Sequence, residues 1–226
     1  MEVGVKWSIS VYLAPTVNRR HPGAPAEGRG LLEQGRAGSA GRTPPLRRED
    51  LPAAARVHWD AIAGDRGEVP WLFRFLLASP DLAARVSHTG DFLRAATTIP
   101  EDLHELLILA LARRLDFQLE WSYHEGMARQ AGVSEAAIEA LCAGSTPELP
   151  DDWRAAYDLA LAAAERRVSD ALFDAVVARS GAAFAVEVVV LVAFVVFMQW
   201  LVEALDVPLP EGLPALLPIP AGAGAT

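Results

Sequence analysis

The stretch Glu101-Asp-Leu-His-Glu-Leu-Leu-Ile-Leu-Ala-Leu-Ala-Arg113, followed closely by Glu120-Trp-Ser-Tyr-His-Glu125, decides the fold class. Pro100 ahead of Glu101 and Asp102 is a good helix start, because proline is tolerated in the first turn and carboxylates there complement the macrodipole. Leu103, Leu106, Leu107, Leu109, Ala110 and Leu111 are apolar around much of the circumference, so this helix is expected at the centre of a core. Glu105 lies inside that run, and a buried carboxylate needs a partner or a raised pKa. Glu120 and His124 are spaced i, i+4 and share a helix face, so a carboxylate can orient an imidazole there. In one straight helix Glu105 and Glu120 would stand about 22 Å apart. Cooperation between them therefore predicts a break between Arg113 and Phe117, with Asp116, a poor helix former, as the place.

Helical periodicity continues on both sides. Leu51, Ala55, Trp59 and Ile62 form a stripe ending at Gly64. Trp71 to Leu77 is a short apolar segment closed by Ser79-Pro80, and Asp81 opens a helix with Leu82, Val86, Phe92 and Leu93 as its expected buried side. Gly132 reads as a C-cap and Ser134 as the N-cap of a helix from Glu135 to Cys142. Helices from Asp151 to Arg166 and from Asp170 to Arg179 follow, and no alternating strand pattern of useful length is visible. The expected fold class is all-α, with about seven to nine helices.

The 226 residues allow one domain of ordinary size with tails. Residues 1–45 are rich in Gly, Pro and Arg without apolar period and read as a disordered extension rather than an organelle-targeting segment. Residues 46–205 form the helical domain, and residues 206–226 a Pro-, Gly- and Ala-rich tail. The net charge of −9 averages a basic segment, residues 1–48, and an acidic domain. That balance argues against nucleic acid as a partner. The most apolar run, Val188 to Met198, is bounded by Glu187 and Gln199 and is short for a membrane span of about 20 residues. It reads as a core or subunit-interface helix. The single cysteine, Cys142, closes no disulfide and supplies no thiolate zinc site, which points to a reducing, cytoplasmic setting. No metal-spaced histidine cluster, phosphate loop or Ser-His-Asp order is visible, and His58, His88 and His104 are isolated enough to be read as surface or cap residues.

Glu105-Leu-Leu-Ile-Leu-Ala-Leu-Ala-Arg113 with Glu120-Trp-Ser-Tyr-His-Glu-Gly-Met-Ala-Arg-Gln-Ala-Gly132 resembles the carboxymuconolactone decarboxylase-like group, which includes alkylhydroperoxidase D. The likeness extends over residues 44–212. In the peroxidase branch a glutamate is followed, twelve residues on, by Cys-x-x-Cys and then by a histidine four residues after the second cysteine. Glu105 and His124 occupy the glutamate and histidine positions, but Phe117 and Glu120 stand where the cysteines would be. Peroxide reduction by a dithiol needs an attacking and a resolving thiol, so that activity is not expected despite the family name.

The resemblance to the decarboxylase branch implies cofactor-independent proton transfer on a small lactone or organic acid, by decarboxylation or isomerisation. On that expectation His124 is the general acid/base, Glu120 orients it, and Glu105 holds a proton relay. Phe117, Trp121 and Phe73 would line the substrate pocket, with no metal involved. The family likeness and the apolar face near Val188 to Leu201 imply a trimer or hexamer. The rival from another class is a non-catalytic helical oligomer with a binding or assembly role.

Overall fold

The computed structural model describes residues 41–218, so the expectation for residues 1–40 lies outside them. Nine α-helices are found among the described residues, with no strand: α1 (Arg56–Ala63), α2 (Trp71–Leu76), α3 (Pro80–Ala95), α4 (Glu101–Arg114), α5 (Gln118–Ala131), α6 (Glu135–Cys142), α7 (Asp151–Ala164), α8 (Asp170–Ser180) and α9 (Ala182–Leu205).

The centre is an antiparallel hairpin of α4 and α5, the most intimately packed pair. Every residue of α4 from Leu103 to Ala112 is buried, as its all-round apolar pattern requires. Glu101 and Asp102 occupy its first turn and Arg113 and Arg114 its last, each charge opposing the helix dipole. The chain reverses where the sequence anticipates it. Asp116 adopts a left-handed φ of 51°, and the Phe117 N–H closes the turn by donating to the Ala112 carbonyl at 2.7 Å. Asp is among the few non-glycine residues that visit this region readily. This turn folds the second half of the motif back along the first, which is how Glu105 and His124 meet.

Around the hairpin, α9 packs on α7, α8, α4 and α3. At Gly90 of α3 an added Cβ would sit 3.2 Å from the Phe194 ring of α9, so glycine lets these helices approach closely. Gly132, with φ +98°, ends α5, and the Ser134 hydroxyl accepts from the Ala137 N–H to cap α6.

Two sequence expectations need correction. The stripe from Leu51 to Ile62 is not one helix: Pro52 and two 3₁₀ turns, Arg48–Asp50 and Ala53–Ala55, precede α1. Proline lacks the N–H and fixes φ, so the helix starts after it. In α3, Leu82 and Phe92 are exposed, and the buried positions are Ala83, Ser87 and Leu93. The inner face of α3 carries the small residues Ala83, Ser87 and Gly90, which a count of large apolar residues overlooks.

Residues 41–45, assigned to the extension by composition, lie against the end of α9: the Arg42 N–H donates to the Leu205 carbonyl and its guanidinium to Ala204. The tail after α9 wraps the domain. Trp71 Nε1 donates to the Pro208 carbonyl at 2.7 Å and the Ser122 hydroxyl to that of Pro214 at 2.8 Å, with Val207 and Leu217 buried.

By length and composition α9 meets the requirement for a membrane span that the shorter count above did not meet. Two of its three polar side chains reach other segments of the chain. Glu187 accepts from the N–H and hydroxyl of Thr98, and Gln199 donates to the Leu115 carbonyl. One stripe, including Val188, Leu191, Val192 and Val195, is core.

Candidate active site

A cavity of about 770 Å³ opens between the segment Arg66–Arg74, helices α3, α4, α5 and α9, and the tail at Pro210 and Glu211. Most of its wall is apolar, with Phe73, Ile108, Leu119, Phe194 and Met198 prominent. His104, Glu120, Tyr123 and His124 supply polar groups, and Arg94 and Asp91 of α3 also line it. Asp91 accepts from Arg66 at 3.2 Å and from Arg94 at 3.4 Å.

Beside this cavity lies the Glu105 carboxylate, its side chain 3% exposed. One oxygen, Oε2, is 2.7 Å from His124 Nδ1; the other, Oε1, is 3.4 Å from His104 Nδ1. Burial pushes this carboxyl up, but the bonds and positive charge of both histidines outweigh burial and hold it at about 2. An ionised carboxylate only accepts, so His124 Nδ1 carries the proton and donates. Its Nε2 remains on the side of Glu120, whose Oε1 is 3.6 Å away, beyond hydrogen-bond range.

Burial lowers the His124 pKa, but the Glu105 hydrogen bond and the charges of Glu120 and Glu105 prevail, and the imidazole titrates above its ordinary value. Glu120 moves upward because it is desolvated and near the Glu105 charge, with His124 opposing. The arrangement thus holds an ionised carboxylate, an imidazole that favours its proton, and a second carboxyl whose pKa burial raises.

Glu105, Glu120 and His124 are therefore brought together, but in a different order from that expected. Glu105 bonds His124 directly and Glu120 stands apart, because the hairpin turn sets a cross-helix contact shorter than the i, i+4 one. Phe73 lines the cavity, whereas Phe117 and Trp121 do not: Phe117 caps α5 within the core, and Trp121 is fully buried and donates to Glu125 at 3.0 Å. His104, taken for a surface or cap residue, is 4% exposed and lines the cavity. A signal was available: His104, Ile108 and Leu111 follow i, i+4, i+7 on a helix that is apolar throughout. Cys142 is half-buried on α6 and does not line the cavity. Among the described residues no group of three or more His, Cys, Asp or Glu has the geometry to hold a metal ion.

No family model and no curated relative matches the chain. Among solved structures it is similar to an alkylhydroperoxidase AhpD core, an uncharacterized peroxidase-related protein from Ralstonia eutropha JMP134. The identity is 18% over 76% of this chain and 94% of that one, with a TM-score of 0.63. It is also similar to the debrominase Bmp8, both in the apo form and as a cysteine-to-alanine variant in complex with 2,3,4-tribromopyrrole. Each of these gives 20% identity over 76% of this chain and 94% of that one, with a TM-score of 0.61. At such identities the likeness is one of architecture: the chain has the all-α, AhpD-like fold, with a single cysteine and no Cys-x-x-Cys.

Proposed function

We propose that the cavity carries out cofactor-independent acid/base catalysis on a small lactone or organic acid, by decarboxylation or double-bond migration, with His124 as the proton-transfer group. The observation that carries this reading is the buried 2.7 Å contact between His124 Nδ1 and Glu105 at the wall of an otherwise apolar cavity. Glu105 fixes the tautomer, leaving Nε2 to exchange a proton with a bound ligand. Glu120 is a second proton holder beside it. The apolar walls favour a ligand with a hydrophobic body and strengthen electrostatic contacts once water is displaced. A dithiol route lacks its reagents, since Phe117 and Glu120 occupy both motif positions and Cys142 lies outside the cavity.

The test is turnover of a panel of unsaturated lactone acids by the native chain and by His124→Ala. The variant is expected to lose about 10²- to 10⁴-fold in rate, the usual contribution of a positioned general acid or base. Ligand binding without turnover by the native chain would favour the binding role instead. Hydroperoxide reduction abolished by Cys142→Ala would overturn the assignment.

We further propose that α9 seats a second copy of the chain within a trimer or hexamer. Val186, Val190, Phe197 and Trp200 are exposed on one stripe, Trp200 by 67%, and recur at i, i+4, i+11 and i+14 like a helix-packing seam. Light scattering is expected to give an oligomer that Val190→Asp combined with Trp200→Asp converts to monomer. A monomeric native chain would exclude the proposal.

A further inference from the structure

Glu105 has two imidazole neighbours, and the mechanism above uses one. His104 and His124 approach opposite oxygens of the same carboxylate, each through Nδ1, and both line the cavity. We propose that His104 is a second proton-carrying group of this cavity, coupled to His124 through Glu105 so that one imidazole is charged while the other is neutral.

The reason is electrostatic. One buried carboxylate compensates one imidazolium; protonating the second adds a like charge close to the first in a poorly solvated place. The other charged groups facing the pair do not remove this competition. Glu120 on α5 stands 3.6 Å from His124 and favours the charge there, while Arg94 on α3 adds positive charge against it. Arg66 and Arg94 share Asp91, and the side chains of α9 on the cavity wall, Leu191, Phe194, Val195 and Met198, are uncharged. Glu68, Arg74, Tyr123 and Glu211 complete the titratable and charged lining. At the far end of α4, Arg113 bonds the Cys142 carbonyl of α6, and Arg114 bonds Glu165 just past α7.

An imidazolium and a neutral imidazole on one wall form an acid and a base present at the same time. Resting on the function proposed above, this narrows the ligand to a carbon acid, an unsaturated lactone or carboxylic acid whose double bond can migrate. The neutral imidazole takes a proton from the carbon next to the carbonyl, breaking that C–H bond. The released electron pair shifts along the conjugated system, and the imidazolium delivers its proton to the remote carbon, forming a new C–H bond. The two imidazoles end with their charges exchanged. Proton exchange with water at the cavity mouth resets them, and no oxidant or reductant is consumed.

The test is an NMR titration of the imidazole ring signals in the full chain, native, His124→Gln and His104→Gln. Removing His124, which has the shorter contact to Glu105, is expected to raise the titration midpoint of His104 by about one pH unit. Removing His104, which takes the second proton, leaves the His124 midpoint nearly in place. A merely structural role for His104 leaves its own midpoint unmoved in His124→Gln. That unmoved midpoint overturns the proposal, whether or not His104→Gln folds. The titration needs no substrate, so a failed turnover screen leaves its result standing, and a flat titration leaves the His124→Ala rate loss standing.

Discussion

Glu105→Leu is expected to lose about 3–5 kcal/mol of folding stability near pH 5, measured by urea unfolding, because it removes one partner of a buried ion pair and leaves the other uncompensated. The loss should shrink as pH rises. In the native chain the His124 pKa is raised above 6.5, so its contribution to stability is complete below that value and disappears as pH climbs through the higher folded-state pKa. In the variant burial and Arg94 lower the imidazole pKa and only the Glu120 charge still raises it, so protonation stabilises the fold less than in the native chain. The gap between the two proteins is therefore widest on the acid side. Its lower limit is set by Glu105 itself: a carboxyl depressed from 4.5 to about 2 stabilises above 4.5 and ceases to do so as pH falls through about 2. A stability loss independent of pH between 5 and 9 would show that Glu105 acts by packing rather than by charge.

Trp121→Ala is expected to cost about 3–5 kcal/mol, from lost apolar burial and the cavity left behind. The residue has 0% exposure and is among the largest fully buried side chains, on the α5 face that packs into the core. Its indole N–H also donates to Glu125, which Arg129 holds from the other side at 2.7 Å. Trp121→Phe, which keeps most of the volume but loses that donor, should cost about 1–3 kcal/mol. Circular dichroism during urea unfolding measures both. A wall residue of the cavity would behave otherwise, changing ligand affinity more than stability, and that outcome would return Trp121 to the role its sequence neighbourhood suggested.

The contrast between Trp121 and Phe73 shows where sequence patterns stop. Both are aromatic residues, Trp121 beside acidic and imidazole groups and Phe73 in an apolar segment, and both were candidates for the pocket. Phe73 reaches the cavity because α2 forms one of its walls; Trp121 does not, because α5 turns that face to the core. Neither outcome depends on the residues' own neighbours in the chain. His104 fails in the opposite sense, since it stands at no position of a recognised histidine pattern and looked incidental. His124, which approaches the other oxygen of the same Glu105 carboxylate, is brought there only by the hairpin.

The sequence by itself determined the helices, most of their ends and the break at Asp116. Those are local matters: apolar periodicity, capping residues and the φ preferences of Asp, Gly and Pro act over a few residues and are written in them directly. The tertiary structure alone decided that Glu105 rather than Glu120 orients His124, that His104 shares the same carboxylate, and which aromatic side chains face the cavity. These depend on the distance between side chains on different helices, which the turn geometry and the packing of α3 and α9 set to within an ångström, and no spacing along the chain encodes that distance.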